Sequence, residues 1–100
     1  MRLSPDERRE QIIKSGTKLA EQIGLYQFSL GDVGRDIKCA PSLVSYHFGT
    51  IADLRNTVIE RACEGHIKNG PILAQAIVRR DPMVAELDNR IKRNVLETYL

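Results

Sequence analysis

The chain has 100 residues, with 15 Lys and Arg against 13 Asp and Glu, and hydrophobic residues make up 42% of it. These values indicate one globular domain, and they exclude a second domain of ordinary size and a disordered chain. No stretch of the sequence approaches the roughly 20 apolar residues of a membrane span. A net charge of +2 is too small to indicate a nucleic-acid binder by itself. Any basic surface must therefore come from the placement of a few side chains.

The residue types that carry catalysis or hold metal ions do not form a recognisable motif. Cys39 and Cys63 are isolated, with no second cysteine or histidine pair at ligand spacing, so we interpret both as reduced, small apolar residues. No Ser-His-Asp order and no Gly-rich phosphate loop occurs. The first residues lack the apolar run of a signal peptide. We therefore expect a cytoplasmic protein that is not an enzyme and needs no cofactor.

Capping signals and helical spacing of apolar residues predict four helices in the first 68 residues. Helix starts are indicated by the capping boxes at Ser4 and Thr50, by the N-cap candidate Ser29 and by Pro41. Gly24 suits the residue after a helix, where φ is positive. The predicted helices span 5–23, 30–37, 41–47 and 51–67.

The last 30 residues predict two more helices. Residues 72–80 are apolar almost all round, which indicates burial on more than one face. Asp81 and Pro82 then suit the start of a last helix that continues to Tyr99. No segment shows the alternation that is typical of strands, so the predicted fold is all-α with about six helices. The predicted stripe of the last helix contains Val84, Leu87, Ile91, Val95 and Tyr99.

Two short helices joined by three residues form the plan of a helix-turn-helix. On a helical wheel of the second helix, Val44 and Phe48 share the face that points to the core. Ser42 and Tyr46 lie on the opposite side, with Ser45 and Leu43 on its two flanks. Small hydroxyls allow close approach to a DNA groove, and an exposed tyrosine can contact a thymine methyl group or a phosphate.

Residues 8–54 resemble the N-terminal DNA-binding domain of the tetracycline-repressor (TetR/AcrR) family of transcriptional regulators. The similarity includes an amphipathic first helix that ends at Gly24, the aromatic pair Tyr26 and Phe28, and the cap Ser29. Its strongest part runs from Ala40 through the aromatic-rich end SYHFGT to Leu54. The resemblance implies a dimeric repressor that binds a palindromic operator in double-stranded DNA. The DNA-contacting residues that we predict are Ser29, Lys38, Pro41, Ser42, Leu43, Ser45, Tyr46 and His47.

Four positions depart from the family pattern. Gly16 and Gly34 replace the usual alanines and should weaken their helices by roughly 1 kcal/mol each. Lys38 stands where the family has a turn glycine, so we expect either a less tight turn or a lysine in a strained conformation with positive φ. Ile51 replaces a lysine that contacts phosphate in the family. We expect Lys38, Arg2 or Arg55 to supply that charge, and we interpret Arg8, Arg9, Lys14 and Lys18 as a solvated face.

The chain is much shorter than members of this family, which carry a further helical domain for ligand binding. Residues 71–100 cannot enclose a ligand cavity, so we expect no small-molecule effector and predict that this segment forms a homodimer. Residues 1–68 would be the DNA-binding part of the same compact domain. Two alternatives stay open: a helical protein-interaction module, such as an antirepressor or heterodimer partner, and a DNA-binding fragment of a longer ligand-responsive repressor.

Overall fold

The computed structural model describes residues 2–65 and 69–100, and in these residues it contains six α-helices, one short 3-10 turn and no strand. The predicted all-α fold with about six helices is confirmed. The helices are α1 (Pro5–Gln22), α2 (Leu30–Ile37), α3 (Pro41–Phe48), α4 (Ile51–Glu64), α5 (Gly70–Val78) and α6 (Asn89–Tyr99), and the 3-10 turn is Pro82–Val84. In the described part of the chain, no helix is long and apolar enough to cross a membrane.

The predicted helix starts are confirmed at three capping boxes. The side chains of Ser4, Ser29 and Thr50 each accept a hydrogen bond from the backbone of the residue three positions later, and that residue's carboxylate accepts one in return. Gly24 adopts a φ of 130°, as expected after α1. The fourth helix ends at Glu64, before its predicted end, and the remaining predicted residues 66 and 67 lie outside the described residues.

The prediction of one continuous helix from residue 82 to 99 is wrong. Asp81 does cap a helical start by accepting from the backbone N–H of Met83 at 2.9 Å, but only one 3-10 turn follows it. Asp88 then caps α6 separately, with its carboxylate 2.7 Å from the backbone nitrogen of Arg90. A second strong capping residue inside the predicted helix thus starts a new helix after a break.

One core unites all six helices. α5 is packed against α1, α4 and α6, as its apolar composition predicted, and it buries Ile72 and Leu73 completely. The ring of Tyr99 lies against Gly70, where an added Cβ would be 1.9 Å from a ring carbon, so the end of α6 rests on the start of α5. The largest fully buried side chains are Ile12, Leu25, Leu54, Ile59, Ile72 and Leu73.

Most of the apolar stripe that suggested dimerisation is used within the chain itself. Val84 and Val95 are buried in the core, while Leu87 and Ile91 are packed against it. These four side chains are therefore covered without a second copy. The large hydrophobic side chains that this segment leaves exposed are Val78, Tyr99 and Leu100.

Candidate nucleic-acid interface

α2 and α3 are joined by a tight connection of three residues. Lys38 ends α2 with φ 59° and ψ 47°, in the left-handed region, as its position in place of a glycine suggested. The backbone N–H of Cys39 donates to the carbonyl oxygen of Gly34 at 2.8 Å. A Cβ on Gly34 would lie 2.5 Å from the carbonyl oxygen of Cys39. Glycine at this position therefore allows the connection to lie directly against α2.

The orientation of α3 agrees with the helical wheel. Val44 and Phe48 are buried and fix one side of the helix to the core. Pro41, Ser42 and Ser45 are exposed, and the side chain of Tyr46 is 82% exposed. Leu43 is also partly exposed, at 38%.

The outward hydroxyl groups of α3 are not committed to the fold. Within residues 2–65 and 69–100, the hydroxyls of Ser42, Ser45 and Tyr46 form no hydrogen bond. His47 is half-buried and meets the ring of Tyr46 edge to face, with the ring centroids 5.2 Å apart. The exposed side of α3 therefore carries donors and acceptors that an external ligand can use.

The N-terminus of α3 differs in charge from those of its neighbours. α1, α2 and α4 each carry an acidic residue in the first turn, whereas α3 has none, and Ala40 gives it no side-chain cap. The positive end of the α3 dipole is therefore uncompensated by a carboxylate of its own first turn. Lys38, which is exposed, adds a positive charge two residues before this N-cap.

Ser29, a predicted phosphate contact, is engaged in capping α2. Its hydroxyl accepts from the backbone N–H of Asp32 at 3.1 Å and donates to the Asp32 carboxylate at 2.9 Å. The hydrogen bonds from the backbone and side chain of Ser29, followed by the Arg35 guanidinium, hold the pKa of Asp32 below its usual value. Ser29 thus has a demonstrated capping role, and its contact with DNA stays a prediction.

The start of α4 is similarly occupied by a carboxylate. Asp53 accepts from the backbone N–H of Thr50 at 2.9 Å, and this bond is the main cause of its lowered pKa. Ile51 adds no charge here. Arg55, one of the expected phosphate-binding residues, donates from Nε to the carbonyl oxygen of Leu25 at 3.2 Å. The α4 N-terminus is therefore a weaker anion site than its backbone alone suggests.

Two arginines that the sequence interpretation assigned to a solvated face lie beside α3. Arg8 is half-buried, and it donates to the side-chain oxygen of Gln11 at 2.9 Å and to Sγ of Cys39 at 3.0 Å. The guanidinium of Arg9 lies over the ring of Phe48, 4.2 Å from its centroid. A helical wheel of α1 places both beside the buried Ile12, but it does not show that α3 lies next to them.

The described part of the chain contains no group of three or more His, Cys, Asp and Glu side chains placed to hold a metal ion. Burial, with smaller contributions from Glu60 and Glu64, raises the pKa of the Cys63 thiol and so favours its neutral form. Both cysteines are free.

Comparison of the chain with protein-family models, with curated proteins and with solved structures gives no match. The resemblance to the tetracycline-repressor family is therefore a prediction from a few motifs, and the functional argument depends on the geometry of α3 and the groups around it.

Proposed function

We propose that this protein is a sequence-specific DNA-binding transcriptional regulator, and that α3 is its recognition helix. The observation that carries this proposal is the exposed side of α3. Val44 and Phe48 are buried and hold the helix against the core, while the 82% exposed Tyr46 lies on the same side as the exposed Ser42. One exposed aromatic ring would need no explanation by itself, but the exposed Tyr46 and Leu43 lie on the same short helix as the exposed hydroxyls of Ser42 and Ser45, and together they form a surface suited to binding.

The exposed side of α3 matches the chemistry of the DNA major groove. The groove is about 12 Å wide and admits one α-helix, provided that the helix presents small side chains where it approaches the bases. Ser42 and Ser45 are small and can donate to or accept from base edges. Tyr46 can contact a thymine methyl group through its ring, and its hydroxyl can reach a phosphate.

The charges around α3 also suit a polyanion. The uncompensated N-terminus of α3 and the exposed Lys38 place positive potential at one end of the helix. His47 lies toward the other end and can donate a hydrogen bond to a phosphate oxygen. A chain with a net charge of only +2 can bind DNA in this way, because a few basic groups are concentrated at one surface.

We further propose that two copies bind a palindromic operator and repress transcription by blocking polymerase. Two recognition helices would enter successive major grooves about 34–36 Å apart. The supporting observation is an apolar groove of about 520 Å³ whose lining includes Tyr26, Pro71, Val78 and Leu100, with Val78 60% exposed. A light-scattering mass of twice 11.3 kDa at micromolar concentration supports this dimer, and a mass of 11.3 kDa contradicts it.

The direct test of DNA recognition is selection of bound duplexes from a random pool, followed by affinity measurements on the selected sequence. We expect a palindromic consensus for the natural sequence. Tyr46→Ala should weaken binding by roughly 1–3 kcal/mol if the ring contacts a base. Gln22→Ala is the control, because Gln22 is exposed at the far end of α1 and is uncharged. If no duplex is enriched even at low salt, the proposal is wrong and the helical interaction module is favoured.

A further inference from the structure

The N-terminal half of α1 separates its charges onto two sides. At 100° per residue, Arg8 and Arg9 lie about 40° and 60° to either side of Ile12, whereas Glu10 lies about 160° from Ile12 on the opposite side of the helix. Glu10 is held on that other side by Arg61, whose two terminal nitrogens lie 3.0 and 2.7 Å from its carboxylate oxygens. The small net charge of the chain therefore conceals a basic edge on α1.

The two arginines of this edge differ from the paired basic residues elsewhere in the fold. Lys18, Arg35 and Arg61 form ion pairs with Asp36, Asp32 and Glu10. Among the residues that the structure describes, Arg8 and Arg9 form none. They are positioned instead by neutral groups, Gln11 and Cys39 for Arg8 and the Phe48 ring for Arg9. Their positive charges are therefore held in place without a direct ion pair, although the charge of Arg9 contributes a little to the lowered pKa of Glu10.

The basic edge borders the outward side of α3. A cleft of about 410 Å³ separates the start of α1 from α3, and both Arg2 and Arg8 line it together with Leu43 and His47. Phe48, whose ring contacts the Arg9 guanidinium, is the last residue of α3. A strand of DNA whose groove contained α3 would therefore pass close to these arginines.

We propose that Arg2, Arg8 and Arg9 form a phosphate-binding edge for one DNA strand at the rim of the groove that α3 enters. This inference rests on the proposed DNA-binding function. The guanidinium groups donate charge-assisted hydrogen bonds to phosphate oxygens, and such contacts orient the protein without reading sequence. The edge supplies positive charge that the start of α4 does not provide, because Ile51 is uncharged and Asp53 places a carboxylate there. Arg2 and the start of α1 then add affinity that does not depend on sequence, and specificity comes from α3.

The test is the salt dependence of binding to a selected duplex and to an unrelated duplex. Each phosphate contact contributes about −0.9 to the slope of log K against log salt. The double variant Arg8→Gln with Arg9→Gln should therefore reduce the magnitude of the slope by about 1.8 per protomer. Between 50 and 200 mM salt, the affinity gap between the natural sequence and this variant should narrow about tenfold per protomer. The preference for the selected duplex should change little.

Two further variants separate charge from structure. Arg8→Lys with Arg9→Lys loses the same guanidinium contacts but keeps both charges, so we expect a nearly unchanged slope. Arg90→Gln with Arg93→Gln removes two exposed charges of α6, and it should leave the slope as it is. If the double glutamine variant does not fold by circular dichroism, each single glutamine variant should reduce the slope by about 0.9.

The outcomes distinguish this inference from the function on which it rests. If the natural sequence binds no DNA, the proposed function itself is wrong. If it binds DNA and the glutamine variants keep the full slope, the phosphate-binding edge is wrong while the proposed function stands. A slope that falls equally in the lysine and glutamine variants also overturns the edge, because charge would then not be the cause.

Discussion

Replacing Gly34 with alanine tests whether the close contact between α2 and the following turn is real. Judged by helix propensity alone, Gly34→Ala should stabilise the protein by about 1 kcal/mol, because Gly34 lies inside a helix. In the structure, however, the new Cβ would lie 2.5 Å from the Cys39 carbonyl oxygen and 3.5 Å from the nitrogen of Pro41. Both obstacles are backbone atoms, so the turn itself must move.

Gly16 provides the matched control for this substitution. It also lies inside a helix and is buried, but a Cβ there would be 3.4 Å from the side-chain carbons of Leu54, an ordinary van der Waals contact. We expect Gly16→Ala to raise the free energy of unfolding by about 0.5–1 kcal/mol. Overpacking typically costs about 1–3 kcal/mol, so Gly34→Ala should lower the free energy of unfolding by up to about 2 kcal/mol after the gain in helix propensity.

Urea unfolding, monitored by circular dichroism, measures both changes. The dependence of the free energy of unfolding on urea concentration should be the same in all variants, so that their midpoints can be compared. Because the turn carries α3, Gly34→Ala should also weaken binding to a selected duplex, whereas Gly16→Ala should not. If Gly34→Ala stabilises the protein as much as Gly16→Ala does, the inferred contact between α2 and the turn is wrong.

Three further predictions concern other contacts of the fold. Lys38→Gly relieves a left-handed lysine and should raise the free energy of unfolding by about 0.5 kcal/mol or more, while the lost charge weakens DNA binding in a filter or anisotropy assay. The hydrogen bonds from Lys18 and then from Ser15 lower the pKa of Asp36, so its carboxylate should stabilise the protein above pH about 4 and lose this effect as the pH falls. In Asp36→Asn, the melting temperature should therefore decrease less between pH about 4 and lower pH than it does in the natural sequence. Burial and the hydrogen bond to Asp81 raise the pKa of Tyr26 to about 12, so the stabilising effect of its neutral hydroxyl should be lost as the pH rises from about 10. The difference in the free energy of unfolding between the natural sequence and Tyr26→Phe, measured in urea, should therefore decrease above pH about 10.

Local signals in the sequence predict much of the fold. The capping boxes at Ser29 and Thr50 determine where helices begin, because they satisfy backbone groups within four residues of chain. The same applies to the wheel of α3, where Val44 and Phe48 are buried as predicted. The error at residues 82–99 has a local cause as well. Asp81 and Asp88 can both cap a helix, and the spacing of the apolar residues does not show whether the helix continues through Asp88 or starts again there.

The groups beside α3 could not be predicted in this way. Arg8 lies 31 positions before Cys39, and Arg9 reaches Phe48 only because α1 crosses the end of α3. The need for glycine at position 34 likewise comes from the carbonyl oxygen of Cys39, which lies against α2 in the folded structure. Helix propensity does not describe such a contact. The candidate residues on α3 were therefore accessible to sequence reasoning, whereas the basic edge on α1 depends on tertiary packing.

The most direct test of the central claim is a titration of the ¹⁵N-labelled protein with a duplex selected from a random pool, followed by NMR. If α3 is the recognition helix, the largest chemical-shift changes should fall on residues 41–48 and on the turn at Lys38, with smaller changes at the start of α1. Changes confined to α5 and α6, or no change at a saturating concentration of duplex, would contradict the account.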